Sequence, residues 1–592
     1  MKVNEYIINY LINRELDTFF LVTGGAIVPI IDAIGNHPKA KYYCFQHEQS
    51  AAMAAESFYR TSGKMGVVLS TSGPGAQNLM NGICGCWYES IPCLFITGQV
   101  NTQESIESIS SNPRQLGFQE TDIVNAFKGF TKYIKKIDNK SLIDIYLQNA
   151  IQHSNQGRKG PSLLDIPVNI QNQNIGEEIK PNVPFPNILP LTQDNHILEL
   201  NKEFKKSKRP LLLIGHGVRL SGGIDEIKSL INNIKIPFVV SWGGFDIIPH
   251  NHPLFIGDIG VYGSRGGNYA IQNCDLLISI GSRLDTRQTG GDINSFSRES
   301  FKAVVEVDFN ELNKENGLKI DLPILSDAKD FINKWKQSNI EGGIITDWLI
   351  QCNKYKNTIE NRKLKDDVLT SYEFLEELNL KLPKNSTIVP DEGGHLVWSM
   401  QSLKVKEGQR IYSNFGNSSM GWALPASIGA QIDNDNLVVC IDGDGGFQMN
   451  IQELQTVKHY NLPIKIFIMN NNCYGIIKQF QDAYFDSRYT ATETQDYSAP
   501  DFCKVAEAYG IESVEANKSN YKEIINFALN KKGSILVNVI IDKEQKLIPK
   551  LEFGNPLEDM SPYLKDEELN NNMIIKQLTR RDNTQGWVDL KK

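Results

Sequence analysis

An acidic residue between glycines and a run of asparagines each follow an apolar stretch in the last third of the sequence. Asp444 lies in IDGDGG, just after the apolar run LVVC, and Asn471 lies in NNN, directly after IKIFIM. If both apolar runs are strands of one β–α–β unit, the two side chains lie at the same edge of a parallel sheet. A carboxylate and an amide oxygen suit a hard cation such as Mg²⁺, which takes its other ligands from phosphate and water. The spacing therefore predicts a joint metal and phosphate site.

The glycines beside Asp444 bear on the same site. Gly443 and Gly445 allow close approach of the backbone and unusual φ/ψ angles. A helix predicted from about Met449 would direct its N-terminus at a bound anion. A Gly–Asp–Gly segment alone can equally be a simple turn, and its combination with Asn471 is what favours the site.

A glutamate heads an alanine-rich segment in the first part of the chain. Glu48 follows the strand-like KYYCF and opens EQSAAMAAESFYR, which is predicted to be a helix. The small residues of this segment permit close helix packing. Taken alone, Glu48 is typical of a first-turn acid that stabilises the helix dipole.

The elements that must position these residues alternate between short apolar runs and helical segments. Buried parallel strands have continuous apolar sequences, and β–α alternation gives right-handed crossovers, so the pattern predicts three open α/β domains. The strand-like runs are TFFLVTG, MGVVLSTSG, IPCLFITGQ and SLLDIPV, then RPLLLIGHG, IPFVVSW, CDLLISIGS and FKAVVEVD, then STIVPDE, NLVVCIDGD, LPIKIFIMNNN and GSILVNVII.

Two polar stretches separate the three groups of strands. Residues 171–193 are rich in Pro and Asn and lack periodicity, and the stretch from NIEGGIITDW to about residue 368 is polar and charged. The predicted domains span residues 1–172, 190–335 and 366–548, followed by a carboxyl-terminal extension over 549–592.

Length, charge and cysteine content limit the class of protein. A chain of 592 residues is too long for one hydrophobic core, and its net charge of −8 gives no footprint for nucleic acid or an anionic membrane. No apolar run reaches the roughly 18 residues that a membrane span needs, and the first 20 residues read as an amphipathic helix rather than a signal peptide. Nine cysteines without a C-x-x-C pair favour free thiols, and so a cytoplasmic location.

Several segments together resemble one known family. Gly-Asp-Gly, followed after 24 residues by Asn470 and Asn471, resembles the motif of thiamine-diphosphate-dependent enzymes. The segments FFLVTGGA, QHEQ, TSGPGAQNL, ITGQV, FQETDIV and FTKY are similar to acetolactate synthases and their near relatives, and the similarity extends to about residue 545. The resemblance implies pyrimidine-binding, central and diphosphate-binding domains in that order.

The resemblance assigns roles around the metal and the cofactor. It implies that Asp444, Asn471 and the backbone carbonyl of Cys473 bind Mg²⁺, and that Met420 bends the cofactor between its rings, although an ordinary core methionine is the alternative. The other residues expected to bind thiamine diphosphate are Gly75, Asn78, His395, Ser418, Gly443, Gly445 and Gly446.

The resemblance also changes the interpretation of Glu48. In this family a glutamate at this place hydrogen-bonds the cofactor's pyrimidine ring and helps to generate a carbon nucleophile. Gly25 and Gln119 are expected to line the active site with it. In the family this glutamate and the metal site meet across a subunit interface, so a homo-oligomer, a dimer or a tetramer, is expected.

Four further residues are expected along a substrate channel. They are Phe118, Lys132, Ile476 and Phe480. Lys132 could anchor a substrate carboxylate, although a lone lysine is more typical of a charged surface. Phe480 stands where branched-chain synthases usually have Trp, and Gly394 stands where they have Gln. These departures leave the acceptor substrate open.

The middle domain resembles the flavin-binding part of acetolactate synthases. The segment that contains Arg283 and Arg287 carries this resemblance, with Asp308 at the end of VVEVD and Arg265 in GSRGGN as further expected contacts. These residues predict bound FAD. The Gly-x-Gly of LIGHGVRLSGG is no dinucleotide fingerprint, and flavin-free relatives keep the same fold, so a scaffold domain is the alternative.

The implied reaction is decarboxylation of pyruvate and transfer of the two-carbon unit to a keto acceptor. Pyruvate as acceptor gives 2-acetolactate, which is the leading hypothesis. The alternatives are transfer to a nucleotide-linked keto-sugar in surface polysaccharide biosynthesis, an FAD-dependent pyruvate oxidase and a non-catalytic relative. The segment SISSNPRQLGFQE and the long tail favour the keto-sugar alternative. The need for a regulatory subunit stays open.

Overall fold

Three six-stranded sheets, parallel throughout, form the framework of the described part of the chain. The computed structural model describes residues 1–111, 113–176, 189–338, 340–358, 360, 362, 367–578 and 580. Parts of both predicted linkers and the end of the predicted extension, including residues 177–188, 363–366 and 581–592, lie outside the described residues. The prediction of three parallel α/β domains is confirmed, whereas the predicted domain boundaries stay predictions.

The first sheet has the strand order β2-β1-β3-β4-β6-β5. Its strands are β1 (Thr18–Leu21), β2 (Lys41–Cys44), β3 (Val67–Ser70), β4 (Leu94–Gln99), β5 (Tyr133–Lys136) and β6 (Ser162–Pro167). The helices around it are α1 (Val3–Ile12), α2 (Val28–Asn36), α3 (Glu48–Ser62), α4 (Pro74–Gln77), α5 (Met80–Glu89), α6 (Ile123–Phe127), α7 (Ile143–Asn155) and α8 (Val168–Gln171).

The second sheet has the order β12-β11-β10-β7-β8-β9. Its strands are β7 (Pro210–Ile214), β8 (Phe238–Val240), β9 (Phe255–Asp258), β10 (Leu276–Ile280), β11 (Phe301–Glu306) and β12 (Leu322–Leu325). Its helices are α9 (Asp194–Lys206), α10 (Gly217–Leu220), α11 (Ile224–Ile234), α12 (Arg265–Asn273), α13 (Thr286–Thr289), α14 (Phe309–Leu312), α15 (Ala328–Gln337) and α16 (Thr346–Lys356).

The third sheet has the order β14-β13-β15-β16-β18-β17. Its strands are β13 (Thr387–Pro390), β14 (Arg410–Ile411), β15 (Val438–Gly443), β16 (Lys465–Asn470), β17 (Glu512–Ala516) and β18 (Ile535–Ile540). The helices of this part are α17 (Ser371–Lys381), α18 (Gly394–Ser402), α19 (Ala423–Gln431), α20 (Asp444–Phe447), α21 (Leu454–His459), α22 (Gly475–Tyr484), α23 (Phe502–Ala508), α24 (Tyr521–Asn530) and α25 (Asp566–Asn572).

The twelve apolar runs of the sequence correspond to the four central strands of each sheet. Central strands are covered on both faces, so their sequences are continuously apolar. Edge strands such as β5 and β17 are largely exposed or half-buried and carry charged residues. Their sequences are therefore not continuously apolar and do not indicate strands. Of the six edge strands, only β2 was indicated, by KYYCF.

The first and third domains pack through helices whose facing residues are small. A Cβ added to Gly429 of α19 would lie 1.9 Å from the backbone oxygen of Ala54 in α3, so only glycine fits at this contact. Beside it, Glu56 of α3 accepts hydrogen bonds from Arg60 and from the Trp422 indole in a buried network. None of the helices in the described residues is long and apolar enough to cross a membrane.

The first part of the predicted extension packs against the middle domain. Leu551, Leu557 and Met560 join the buried cluster around Tyr269, and the Leu551 amide donates to the Val261 carbonyl at 2.7 Å. The extension is therefore part of the fold as far as it is described.

Candidate active site

Asp444 and Asn471 lie at the same sheet edge, as the sequence predicts. Strands β15 and β16 are parallel neighbours, with Gly443 beside Met469, so the two loops that follow them are adjacent. The helix predicted from about Met449 corresponds to the helical segment that starts at Ile451, but the helix N-terminus beside Asp444 belongs to a separate short helix, Asp444–Phe447. The segment from Ile451 begins with a short helical turn, Ile451–Glu453, and continues as α21.

Three oxygen atoms converge between these loops. The side-chain oxygen of Asn471 lies 2.9 Å from the Cys473 carbonyl oxygen and 3.1 Å from Asp444 Oδ1. If the Asn471 amide were rotated by 180°, its nitrogen would instead donate a hydrogen bond to each of these two oxygens. The orientation of such an amide is assigned from its hydrogen-bond contacts. Octahedral Mg²⁺ with oxygens at 2.0–2.1 Å places neighbouring ligands about 2.9 Å apart. The Asn471 oxygen therefore lies at the separation of neighbouring magnesium ligands from each of the other two oxygens.

The surroundings of Asp444 favour a cation. Its carboxylate is buried and accepts a hydrogen bond from the Tyr497 hydroxyl at 2.9 Å. Burial raises the pKa of Asp444 to about 6, and a bound cation would offset that desolvation. The Cys473 thiol points elsewhere, towards the Lys543 carbonyl at 3.7 Å, so Cys473 offers its backbone oxygen. Tyr497 had no signal in the sequence because it lies on a distant loop.

A cavity of about 200 Å³ opens beside the three oxygens. The cofactor-binding residues predicted in the third domain line it together with Ile476: they are His395, Ser418, Met420, Gly443, Gly445 and Gly446. A Cβ on Gly445 would lie 2.4 Å from the Tyr474 ring and one on Gly443 2.5 Å from His395 Nδ1, so these glycines are required by packing. The Nε2 of His395 is buried without a hydrogen-bond partner among the described residues, which suits a ligand in the cavity.

Three further side chains carry atoms of the kind that can bind a metal ion, and one of them, His395, lines the cavity. Asp391, His395 and Asp442 bring one ligand atom each within 4.8 Å of one another. Asp391 already accepts hydrogen bonds from the amides of Gly421 and Ala423 at 2.8 and 3.0 Å. Burial and the neighbouring Asp391 raise the pKa of Asp442. We therefore regard this group as a hydrogen-bonded floor and favour the three converging oxygens as the metal site.

The first domain brings three of the predicted residues together. Glu48 is the first residue of α3, is 9% exposed, and accepts a hydrogen bond at Oε2 from the Asn78 amide at 2.9 Å. A Cβ on Gly75 would lie 3.0 Å from Glu48 Oε1, so this glycine leaves the carboxylate room. Neighbouring His47 caps the helix by accepting from the Gln49 amide.

Gly25, Phe118 and Gln119 lie in loops of the same domain. The Phe118 side chain is 86% exposed, and a Cβ on Gly25 would meet no atom within 4 Å. Gln119 has a φ of +63° and packs against Gly73, whose added Cβ would lie 2.7 Å from the Gln119 carbonyl. Glu120 holds this loop by accepting hydrogen bonds from Ser105 and three backbone amides.

The cavity beside Asp444 is lined by residues of the second and third domains. Among the described residues, neither Glu48 nor Asn78 lines the cavity that Asp444 lines. Glu48 and Asp444 thus belong to separate half-sites.

The middle domain borders a cavity of about 560 Å³, a size that suits a cofactor. Its lining includes Arg283 and Arg287, as predicted, together with Arg158 and Trp242. Asp308 is not in this lining: its carboxylate accepts from Arg158 Nη1 at 3.2 Å and caps α14. Asp308 therefore contacts the cavity only through Arg158.

Arg265 is not in that lining either. Its guanidinium donates to the carbonyls of Met560 and Pro562 at 3.0 and 2.6 Å and pairs with Glu360. The expectation that Arg265 faces a flavin is corrected: it holds the extension against α12.

Two of the predicted channel residues have structural contacts instead. The Lys132 ammonium donates to the backbone carbonyls of Gln156 and Arg158 at 2.5 and 2.6 Å, and burial lowers its pKa. The Phe480 ring packs among Tyr484, Phe485 and Phe553, away from the Asp444 cavity. Both placements depend on contacts with residues distant in the chain, which the sequence pattern does not reveal.

Three protein-family models match the chain. They describe a thiamine pyrophosphate enzyme's N-terminal TPP binding domain over residues 1–126, its central domain over 197–335 and its C-terminal TPP binding domain over 391–539. These stretches each contain most of one of the three sheets.

Proteins of known name are similar over nearly the whole chain. The acetolactate synthase large subunit of Cyanidium caldarium is 33% identical over 572 residues, which cover 94% of this chain and 95% of that protein. The acetolactate synthase isozyme 2 large subunit of Escherichia coli is 30% identical over 576 residues, covering 95% and 99%. The acetolactate synthase large subunit of Lactococcus lactis is 30% identical over 566 residues, covering 94% and 95%.

Proposed function

The chain belongs to the thiamine pyrophosphate enzyme family, among the acetolactate synthase large subunits, and from this premise we propose that it joins two pyruvate molecules to 2-acetolactate with release of CO₂. The observation that carries the proposal is the convergence of oxygens from Asp444, Asn471 and Cys473 beside a cavity. This arrangement suits a cation that holds a diphosphate. The names of the similar proteins support the substrate.

Residues of the third domain would hold thiamine diphosphate, also called thiamine pyrophosphate. Asp444, Asn471 and the Cys473 carbonyl would bind Mg²⁺, and His395 would meet the diphosphate with its unpartnered Nε2. Met420 lines the cavity wall where the cofactor would bend. When bound, the cofactor supplies the carbon nucleophile and the electron sink for decarboxylation.

Glu48 would hold a proton at the pyrimidine ring of the cofactor. Its carboxylate is fixed by Asn78 and has room beside Gly75. Gly25, Phe118 and Gln119 would form the opposite wall, where Phe118 offers an exposed apolar surface that excludes water when covered. These roles require the wall to meet the Asp444 cavity of another subunit.

We further propose a cytoplasmic homodimer, or a tetramer built from it. The separate half-sites of one chain support this assembly, because each lacks the residues that the other holds. The relatives are named large subunits, which favours a smaller regulatory partner as well.

FAD would occupy the middle cavity. The cationic Arg158, Arg283 and Arg287 suit phosphates, and Trp242 suits an aromatic ring system. The proposed reaction has no net redox change, so FAD would serve the structure there. A colourless purified protein that is active without added FAD would contradict this assignment.

A second candidate acceptor is a nucleotide-linked keto-sugar. Phe480 packs among other aromatic rings and does not line the Asp444 cavity, so its ring would not restrict the size of an acceptor there. A larger acceptor would fit there better than in a channel closed by an aromatic side chain.

Product analysis tests these assignments. Purified protein with Mg²⁺, thiamine diphosphate and pyruvate should release CO₂ and form 2-acetolactate, detected by mass spectrometry. A two-carbon adduct formed only when a keto-sugar is present would assign the second acceptor. Peroxide and acetate in place of a ligation product would identify an oxidase. No CO₂ release under any of these conditions would reject the proposal.

A further inference from the structure

Glu392 is an acid in the Asp444 cavity that no expected role explains. It follows β13 and is 4% exposed, although it lines the cavity. Its Oε2 accepts a hydrogen bond from the Ser418 hydroxyl at 2.8 Å. Its Oε1 is buried and has no hydrogen-bond partner among the described residues. The carboxyl group is thus held at one oxygen and open at the other.

Burial favours the neutral form of Glu392. Burial raises the pKa of Glu392 to about 8, against the lowering effects of Arg287 and of the Ser418 hydrogen bond. Asp391 and Glu89 raise it further. Arg287 Nη1 is 3.8 Å away, and its side chain is 42% exposed, so this ion pair is weak.

Stability does not account for this placement. A buried carboxyl oxygen without a partner destabilises the folded state, because its interactions with water are lost and nothing replaces them. Acids that are buried, shifted in pKa and directed into a cleft are typical of functional sites. Glu392 also shares its cavity with Asp444 and Met420, where the reaction is expected.

We propose that Glu392 donates a proton to the carbonyl oxygen of the acceptor when the new carbon–carbon bond forms, an inference that rests on the proposed function. The acceptor carbonyl carbon takes the electron pair of the new bond. Its C=O π pair moves to oxygen, which takes the Glu392 proton and becomes a hydroxyl. When the product leaves, the bond between the two-carbon unit and the cofactor would break and its electron pair would return to the cofactor. The hydroxyl of that unit then becomes a carbonyl and returns its proton to the Glu392 carboxylate. The acid is thereby regenerated without any further reagent.

The test separates the donor half of the reaction from ligation. Glu392→Gln keeps the size and the Ser418 contact but has no acidic proton. We expect ligation of pyruvate to fall by about 10²–10⁴-fold. Ferricyanide oxidises the two-carbon unit to acetate, so CO₂ release in its presence needs no acceptor carbonyl. This CO₂ release should stay within threefold of wild type. Glu407→Gln is the matched control, because Glu407 is an exposed acid whose side chain is 64% exposed.

The pH profile gives a second readout. Wild-type ligation should decline as pH rises through the pKa of Glu392, and Glu392→Gln should lack this alkaline limb. Three results for Glu392→Gln would each overturn the assignment. They are ligation within threefold of wild type, an equal loss of ligation and of CO₂ release, and an alkaline limb of ligation that is unchanged from wild type. A wild-type protein that releases no CO₂ from pyruvate would overturn the proposed function and this inference together.

Ser418→Ala decides the matter if Glu392→Gln does not fold, as judged by thermal melting. Because the Ser418 hydrogen bond lowers the pKa of Glu392, its loss should move the alkaline limb of ligation to higher pH. The position of this limb does not depend on how much active enzyme is present. An unmoved limb would contradict the role of Glu392.

Discussion

At the scale of single residues, the candidate active site depends on three oxygen atoms that converge between two loops. The Asn471 amide oxygen lies 2.9 Å from the Cys473 carbonyl oxygen and 3.1 Å from Asp444 Oδ1, and both are separations expected of neighbouring magnesium ligands. The glycines around them are required because side chains of His395 and Tyr474 occupy the space that a Cβ would need. Among the described residues, the Asn78 side chain is the hydrogen-bond donor to the Glu48 carboxylate.

Replacing Asp444 tests the metal assignment. Asp444→Ala removes the only charged ligand, so we expect affinity for thiamine diphosphate in the presence of Mg²⁺ to fall by about 100-fold or more. Titration of tryptophan fluorescence with the cofactor, with and without EDTA, measures this loss. Asp435→Ala removes an exposed acid of the same domain and should bind normally. Unchanged affinity in Asp444→Ala would reject Asp444 as a ligand.

Replacing Glu48 tests its role at the cofactor. Glu48→Gln keeps the side-chain shape and one oxygen for Asn78, but it cannot gain or lose a proton. Turnover should fall by about 10²–10⁴-fold while cofactor affinity stays within threefold. Steady-state rates and the same fluorescence titration separate the two effects. Near-normal turnover would exclude the assigned role of Glu48.

At the scale of elements, the position of each half-site depends on close helix packing. Helix α3 carries Glu48 at its start and contacts α19 through Ala54 and Gly429. The extension acts on another element: Tyr484 of α22 donates to Glu552 at 2.5 Å, and its ring packs on Phe553. Helix α22 begins just after Cys473, so the extension supports the metal loop from behind.

Adding one methyl group tests the α3–α19 contact. Gly429→Ala places a Cβ against the Ala54 backbone, and we expect destabilisation of about 1–3 kcal/mol. The thermal transition should therefore move to lower temperature. Gly35→Ala is the matched control, because it also lies near a helix end and its Cβ meets nothing within 4 Å. There, a gain of up to about 1 kcal/mol is expected from helix propensity. Equal transitions for the two variants would contradict the packing argument.

At the scale of the whole molecule, the two groups of predicted site residues lie in different parts of the described chain. The Glu48 half lies in the first domain, and the cavity of the Asp444 half is lined by residues of the second and third domains. Phe118 and Gly25, on the Glu48 side, are open to solvent in the single chain. A second copy that covers them would complete the site.

Mixing two inactive variants tests this assembly. In a dimer of Glu48→Gln with Asp444→Ala, one of the two active sites combines both changes and the other combines two intact halves. Co-expressed variants should therefore regain about a quarter of wild-type activity if subunits pair at random. Each variant expressed alone is the control. Activity of the mixture no higher than that of the single variants would show that both halves act within one chain.

The sequence by itself determined the features that depend on local patterns. The central strands can be predicted because strands buried on both faces have continuously apolar sequences. Asp444 and Asn471 can be assigned to one site because neighbouring parallel strands end at the same edge of a sheet. Edge strands such as β5 and β17 were missed because they carry charged residues, and the short helix at Asp444–Phe447 was missed because it precedes the helical segment that starts at Ile451.

Only the tertiary structure decided which side chains face the cavities. Arg265 and Phe480 contact the extension, and Lys132 contacts backbone carbonyls, although all three had been assigned to binding sites. Glu392 had no assigned role, yet it is buried in the Asp444 cavity with one oxygen unpartnered. These outcomes depend on contacts between residues far apart in the chain. Burial, charge and hydrogen bonding are therefore properties of the packed molecule and not of a local segment.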